Sequence, residues 1–113
     1  LQGGAVQGIG PALCAQVVHD ADSGQPLTGT FMDYAMPRAG MVRHVEMTMD
    51  ESTPCRNNLL GVKGVGELGT IGATPTVVNA VVDALVRAGV PTARVEALQM
   101  PLTPERVWRA LQP

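Results

Sequence analysis

The stretch 61-GVKGVGELGTIGATP-75 packs five glycines into its first twelve positions, around a single carboxylate, Glu67. Glycine loses more conformational freedom on folding than any other residue, so this concentration needs a reason. Successive glycine amides can form an anion-binding concavity, and a backbone without side chains lets a bulky cofactor lie against it. A structural loop whose glycines supply positive φ explains the pattern equally well, and spacing alone leaves both interpretations open.

The carboxylate itself also has two interpretations. Glu67 lies between Gly66 and Leu68 in an apolar stretch, and a carboxylate buried there could act as a general base near neutral pH. An exposed loop glutamate is the commoner case. Residues 64–69 match the dinucleotide motif GxGxxG, but we expect the next helix only at Thr74, and the acidic residue required about twenty positions later is missing. A Rossmann site is therefore disfavoured.

Composition restricts the class of protein. The chain has 113 residues, of which 45% are hydrophobic and 16% charged, which suits one folded domain rather than a disordered segment. A net charge of −2 argues against a nucleic-acid partner. The absence of 18 consecutive apolar residues predicts no membrane span, and no signal-peptide pattern is visible. We expect a cytoplasmic protein, in which cysteines stay reduced. Cys14 and Cys55 lack a CxxC neighbour, so we expect reduced thiols and no metal site.

The periodicity predicts an α+β fold, with helices packed on a small sheet. Apolar spacings of three and four favour a helix over residues 3–18. Alternation and β-propensity favour strands, which we place at residues 27–34, 41–50 and 93–100. Two further helices are expected, one over residues 75–88, capped by Thr74, ended by Gly89 and buried almost all round, and one over residues 104–111, capped by Thr103.

Two ordered motifs carry a family resemblance. The stretch 61-GVKGVGELGTIGATPTVVNAVVDAL-85 closely resembles the C-terminal region of the large, molybdenum-binding subunit of the xanthine dehydrogenase and aldehyde oxidase family. It looks most like the carbon monoxide dehydrogenase large-subunit-like branch. The segments 3-GGAVQGIGPAL-13 and 27-LTGTFMDYAMPRA-39 match at the expected distance. The resemblance implies that residues 1–113 form a single C-terminal segment of a molybdopterin-binding domain.

The resemblance also implies a function. It indicates a molybdenum hydroxylase that oxidises an aldehyde or an N-heterocycle with water as the oxygen source, and in which Glu67 is the general base. The implied cofactor is molybdopterin, in its cytosine dinucleotide form, with molybdenum. The residues that it assigns to cofactor binding are Gln7, Gly8, Gly64, Val65 and Gly66.

The same resemblance implies partners. They are the rest of the large subunit, a small-molecule substrate, and iron–sulfur and FAD subunits or domains, which hold the [2Fe–2S] clusters and the FAD. The cysteine-bearing loop that marks carbon monoxide oxidation is not in this sequence, so oxidation of CO is not supported. We expect these 113 residues alone to be inactive, with a mobile glycine loop. The alternative is a non-catalytic subunit or interaction domain that retains the fold.

Overall fold

Four helices make up the regular structure of the chain. The computed structural model describes residues 1–113. The helices are α1 (Gln2–Leu13), α2 (Leu68–Arg87), α3 (Thr92–Glu96) and α4 (Pro104–Leu111). The long connection between α1 and α2 contains no helix, and its only β-pairing is an isolated antiparallel bridge between His19 and Pro26. The helical part of the predicted fold is therefore present, whereas the predicted small sheet is not.

The helices α1 and α2 pack side by side and run parallel. The Thr70 hydroxyl donates to the carbonyl oxygen of Gly4 at 2.9 Å, and the Thr74 hydroxyl donates to that of Gly8 at 2.9 Å. Because these contacts advance by one turn along both helices, both N-termini lie at the same end. A Cβ on Gly8 would stand 2.7 Å from the carbonyl oxygen of Thr70, so this glycine is required for the close approach of the two backbones.

A small apolar core joins α2 to the C-terminal helices. It consists of Leu85, Val90, Val95 and Ala110, with half-buried aliphatic side chains around it. Gly89, with φ of +84°, follows the last residues of α2, as the sequence predicts for a C′ glycine. Only 9 of the 113 residues are buried, so most apolar side chains of the chain still face outward.

The start of α4 is confirmed. Thr103 is its N-cap and its hydroxyl oxygen accepts from the backbone N–H of Arg106 at 3.3 Å. Pro104 occupies the first helical position and Glu105 the first turn, where a carboxylate interacts favourably with the helix dipole.

We expect Thr103→Ala to lower the free energy of unfolding by about 1 kcal/mol, because it leaves an N-terminal N–H of α4 without its side-chain acceptor. Thermal or urea unfolding of the chain measures this. Thr92→Ala is the matched control, since Thr92 is exposed at the start of α3, whose N-cap side chain makes no hydrogen bond. Equal losses in both variants would contradict the capping role.

Two helix boundaries differ from prediction. The helix α2 begins at Leu68 instead of after Thr74, so Pro75 lies inside it. Thr74 is an interior residue that bonds to α1 rather than a cap. The helix α1 ends at Leu13 instead of residue 18. At the start of α2, packing against α1 decides the boundary, because helix stability in proteins comes mainly from tertiary contact rather than from local propensity. The end of α1 has other neighbours, since a Cβ on Gly10 would meet Pro37 and the Ala12 carbonyl oxygen accepts from the Leu102 N–H at 2.6 Å.

The three predicted strands are absent. Residues 27–34 contain a turn in which the Tyr34 N–H donates to the Thr30 carbonyl oxygen at 2.8 Å. Residues 93–100 lie largely in and after α3, where Val95 and Leu98 meet the core at helical spacing. Residues 42–50 contain no turn, but nothing pairs with them. A strand needs a neighbouring strand for its backbone hydrogen bonds, and this chain does not provide one.

The predicted burial of α2 is also wrong for this chain. Leu85 is its only buried residue, and its charged side chains Asp83 and Arg87 form an exposed ion pair with a distance of 2.8 Å between Oδ2 and Nε. By length and mean hydropathy (1.3), α2 is the one helix that would suffice to cross a membrane. Such values are equally typical of an apolar helix that other parts of a larger protein cover.

Candidate functional site

The glycine loop leads directly into the N-terminus of α2. Glu67 is the N-cap residue of this helix, its side chain makes no capping hydrogen bond, and it is exposed. Its carbonyl oxygen accepts from the Ile71 N–H at 3.0 Å, so the first helical turn fixes the backbone of this residue. The carboxylate is exposed and makes no hydrogen bond within the chain, so it remains available for an external group.

The glycines of this stretch fall into separate structural roles. Gly61 has a φ of +68° and closes a turn in which its carbonyl oxygen accepts from the Cys55 N–H at 2.9 Å. Gly69 packs against α1, where its Cβ would lie 2.6 Å from the carbonyl oxygen of Leu1. Gly64 and Gly66 have neither a positive φ nor a neighbour within 4 Å of a Cβ. The interpretation that the glycines merely supply positive φ is therefore wrong for these two.

The lack of any structural requirement for Gly64 and Gly66 indicates what the loop can bind. Since neither backbone strain nor packing within the chain requires glycine at positions 64 and 66, their effect is to leave the backbone bare on its exposed side. A large planar or phosphorylated group could lie against such a backbone, where a side chain would otherwise stand in its way.

The N-terminal end of a helix carries a positive partial charge, which favours a negatively charged ligand. The first turns of α1 and α2 contain no acidic residue, and neither N-cap side chain makes a hydrogen bond. The first turn of α2 has backbone N–H groups without intrahelical partners and the positive end of the helix dipole, and the parallel packing places this end beside the start of α1. Glu67, at the N-cap of α2, adds one exposed carboxylate to the same end. A donor set of this kind suits the phosphate groups of a dinucleotide. The residues present thus fit a phosphorylated cofactor.

The predicted residues on α1 lie further along the helix pair than Glu67. Gly8 is buried against Thr70 and Ala73 of α2, so helix packing already explains why a glycine is needed there. Gln7 is exposed, and its side-chain amide makes no hydrogen bond within the chain. The packing of α1 on α2 places both residues on the same helix pair as Glu67. Their assignment to cofactor binding stays a prediction.

Other ionisable groups have structural roles. Hydrogen bonds from Ser23 lower the pKa of Asp20, and hydrogen bonds from Ser52 lower the pKa of Asp50. Both carboxylates are exposed and stabilise turns through these hydrogen bonds. No group of three or more His, Cys, Asp or Glu side chains could hold a metal ion, and both cysteines are free.

Sequence reasoning missed the hydroxyls that fasten the two helices. Thr70 and Thr74 bond to carbonyl oxygens of α1 and hold the start of α2 in place behind Glu67. A signal for them exists in the sequence, since Gly4 and Gly8 are spaced by one helical turn, as are the two threonines. Small residues at that spacing on two helices indicate a close crossing.

Comparison with known proteins places the chain in a family. A family model described as a molybdopterin cofactor-binding domain matches residues 1–43. The gamma subunit of the 6-hydroxypseudooxynicotine dehydrogenase complex of Paenarthrobacter nicotinovorans is 39% identical over 110 residues, covering 97% of this chain and 13% of that protein. The nicotine 6-hydroxylase large subunit of the same organism is 39% identical over 115 residues, covering 97% of this chain and 13% of that protein.

Two further matches agree. The carbon monoxide dehydrogenase large chain of Hydrogenophaga pseudoflava is 38% identical over 112 residues, covering 99% of this chain and 13% of that protein. The crystal structure of quinoline 2-oxidoreductase from Pseudomonas putida 86 superimposes with a TM-score of 0.73 at 38% identity, covering 97% of this chain and 13% of that one. These homologues are molybdenum-containing oxidoreductases of the xanthine dehydrogenase family.

The chain therefore belongs to this family and corresponds to a segment of its molybdopterin-binding large subunit. It spans about 13% of the length of the relatives that it matches.

Proposed function

We propose that this chain is the segment of a molybdenum hydroxylase large subunit that carries the general base, Glu67. The complete enzyme oxidises an N-heterocycle or an aldehyde and takes the oxygen atom from water. The observation that carries the proposal is the position of Glu67, an exposed carboxylate at a helix N-terminus, at the end of a loop whose glycines 64 and 66 nothing within the chain requires.

The bare loop is proposed to bind molybdopterin. Backbone amides of Gly64, Val65 and Gly66 would lie against the cofactor, and Gln7 and Gly8 would contact it from α1. The N-terminus of α2, whose first turn contains no acidic residue, favours the negative charge of its phosphates. When bound, this cofactor supplies the two-electron redox chemistry of molybdenum. The cytosine dinucleotide form is the one that we propose.

The proposed task of Glu67 is proton transfer. A carboxylate oxygen of Glu67 accepts the proton of the water-derived nucleophile as that oxygen attacks the substrate carbon, which is general-base catalysis.

An N-heterocycle is the substrate class that we favour. Two of the similar proteins are, by name, a nicotine 6-hydroxylase and a quinoline 2-oxidoreductase. The similarity to a carbon monoxide dehydrogenase large chain, at 38%, is no greater than the 39% to the nicotine enzyme, so it does not favour CO. Iron–sulfur and FAD subunits are the proposed electron acceptors, and the cytoplasm is the proposed location.

Oxygen-isotope labelling tests the reaction. The full-length large subunit, purified with its partner subunits, should contain molybdenum and hydroxylate quinoline or nicotine with an artificial electron acceptor. In water enriched in ¹⁸O the product should contain the label. The 113-residue chain alone should show no turnover. A molybdenum-free complex, or oxygen derived from O₂, would contradict the proposal and favour a non-catalytic role.

A further inference from the structure

One segment of the chain has strand character but no strand partner. From residue 42 to residue 51 the backbone runs without a turn or a bend. No backbone–backbone hydrogen bond involves residues 42–54. In folded proteins nearly all buried backbone N–H and C=O groups are hydrogen-bonded, because leaving one unpaired is costly. The segment therefore presents a row of hydrogen-bonding groups that only solvent or another backbone can satisfy.

The side chains of the segment alternate as in a strand. Val42, His44, Glu46 and Thr48 fall on one face, and Arg43, Val45, Met47 and Met49 fall on the other. Met47 and Met49 are 45% and 68% exposed. Alternation with an exposed apolar face is typical of a strand whose sheet is incomplete.

The contact with α1 identifies which edge of the segment is free. The side-chain amide of Gln2 donates to the Val45 carbonyl oxygen at 3.3 Å, and Val45 is half-buried. In a strand, the N–H and C=O of one residue point to the same edge, and successive residues point to opposite edges. The edge of the odd-numbered residues therefore faces α1, and that of His44, Glu46 and Thr48 faces away.

We propose that residues 42–49 are a β-strand that pairs, through its even-numbered residues, with a strand from the remainder of the large subunit. This rests on the proposed function only in that the chain is part of such a subunit. An extended backbone is the partner that satisfies a row of N–H and C=O groups, so a strand fits this edge and a helix does not. The similar proteins are long enough to contain such a partner strand elsewhere, since this chain corresponds to only 13% of their length.

Hydrogen exchange with residue resolution tests the pairing in the full-length large subunit. The amides of His44, Glu46 and Thr48 should exchange on the order of a hundredfold more slowly than those of Val45 and Met47. Fast exchange along the whole segment would overturn the proposal. Protection that depends on protein concentration would also overturn it, because it would indicate pairing between two copies.

A pair of proline variants provides a matched control. Glu46→Pro removes an N–H from the free edge, whereas Met47→Pro removes one from the opposite edge, and both side chains are exposed. We expect Glu46→Pro to lower the midpoint of thermal unfolding of the full-length subunit by several degrees more than Met47→Pro. Equal effects would overturn the assigned edge.

The experiments distinguish a failure of the strand proposal from a failure of the proposed hydroxylase function. Turnover with unprotected amides at residues 42–49 would overturn the strand alone. Alternating protection in a full-length subunit that lacks molybdenum and turnover would support the strand and contradict the hydroxylase.

Discussion

Glu67→Gln is expected to lower the turnover of the full-length enzyme by about 10²–10⁴-fold, the range that a positioned general base contributes. Glutamine keeps the size and the hydrogen-bonding capacity of the side chain but cannot accept the proton. Because Glu67 makes no capping bond to α2, its replacement should leave the helix and the loop unchanged. Molybdenum content should therefore stay near that of the unmodified enzyme, and the loss should fall on kcat.

Glu96→Gln is the control, since it removes the same charge from an exposed position on α3, outside the glycine loop. It should leave both turnover and molybdenum content unchanged. Retained turnover in Glu67→Gln would exclude this residue as the base. Loss of molybdenum from the variant would instead assign Glu67 to cofactor binding.

Gly69→Ala is expected to disrupt the packing of α1 on α2. The new Cβ would lie 2.6 Å from the Leu1 carbonyl oxygen and 2.7 Å from the Ala5 nitrogen, and both atoms belong to the backbone. Backbone cannot move aside as a flexible side chain can, so the helices must separate. Overpacking of this kind costs about 1–3 kcal/mol. We expect a net loss of stability, measured by urea unfolding, although alanine favours a helix more than glycine does.

Gly72→Ala is the matched control in the same helix, because a Cβ there meets nothing within 4 Å. Its helix propensity should raise the stability by roughly 0.5–1 kcal/mol. A destabilised Gly72→Ala, or a stabilised Gly69→Ala, would contradict the assignment of the close contact to Gly69. In the full-length enzyme, Gly69→Ala should also lower molybdenum content, since it displaces the start of α2.

The helices show what local sequence can predict. The cap at Thr103 and the stop at Gly89 follow from chemistry within a few residues, and both are confirmed. The start of α2 does not follow in this way. Local preferences place Gly69 and Gly72 in a loop and Pro75 at the start of a helix, yet all three residues lie inside α2. Contact with α1, far away in sequence, outweighs these local preferences.

The candidate site divides in the same way. The motif around Glu67 and the motif at residues 3–13 can be recognised from the sequence, because each is a continuous stretch, and together they indicate the family. The sequence does not show which structural role each glycine has. Gly61, Gly64 and Gly69 are chemically identical, and only their φ angles and neighbours separate a turn, a bare loop and a helix contact.

The sequence by itself therefore determined the family, the candidate base, the N-cap of α4 and the glycine that ends α2, since each depends on residues that are close together along the chain. Only the tertiary structure decided that α1 and α2 run parallel with their N-termini together, that Gly8 and Gly69 serve this contact, and that Gly64 and Gly66 remain open. The physical reason is that backbone approach and exposure depend on residues more than sixty positions apart, such as Gly4 and Thr70.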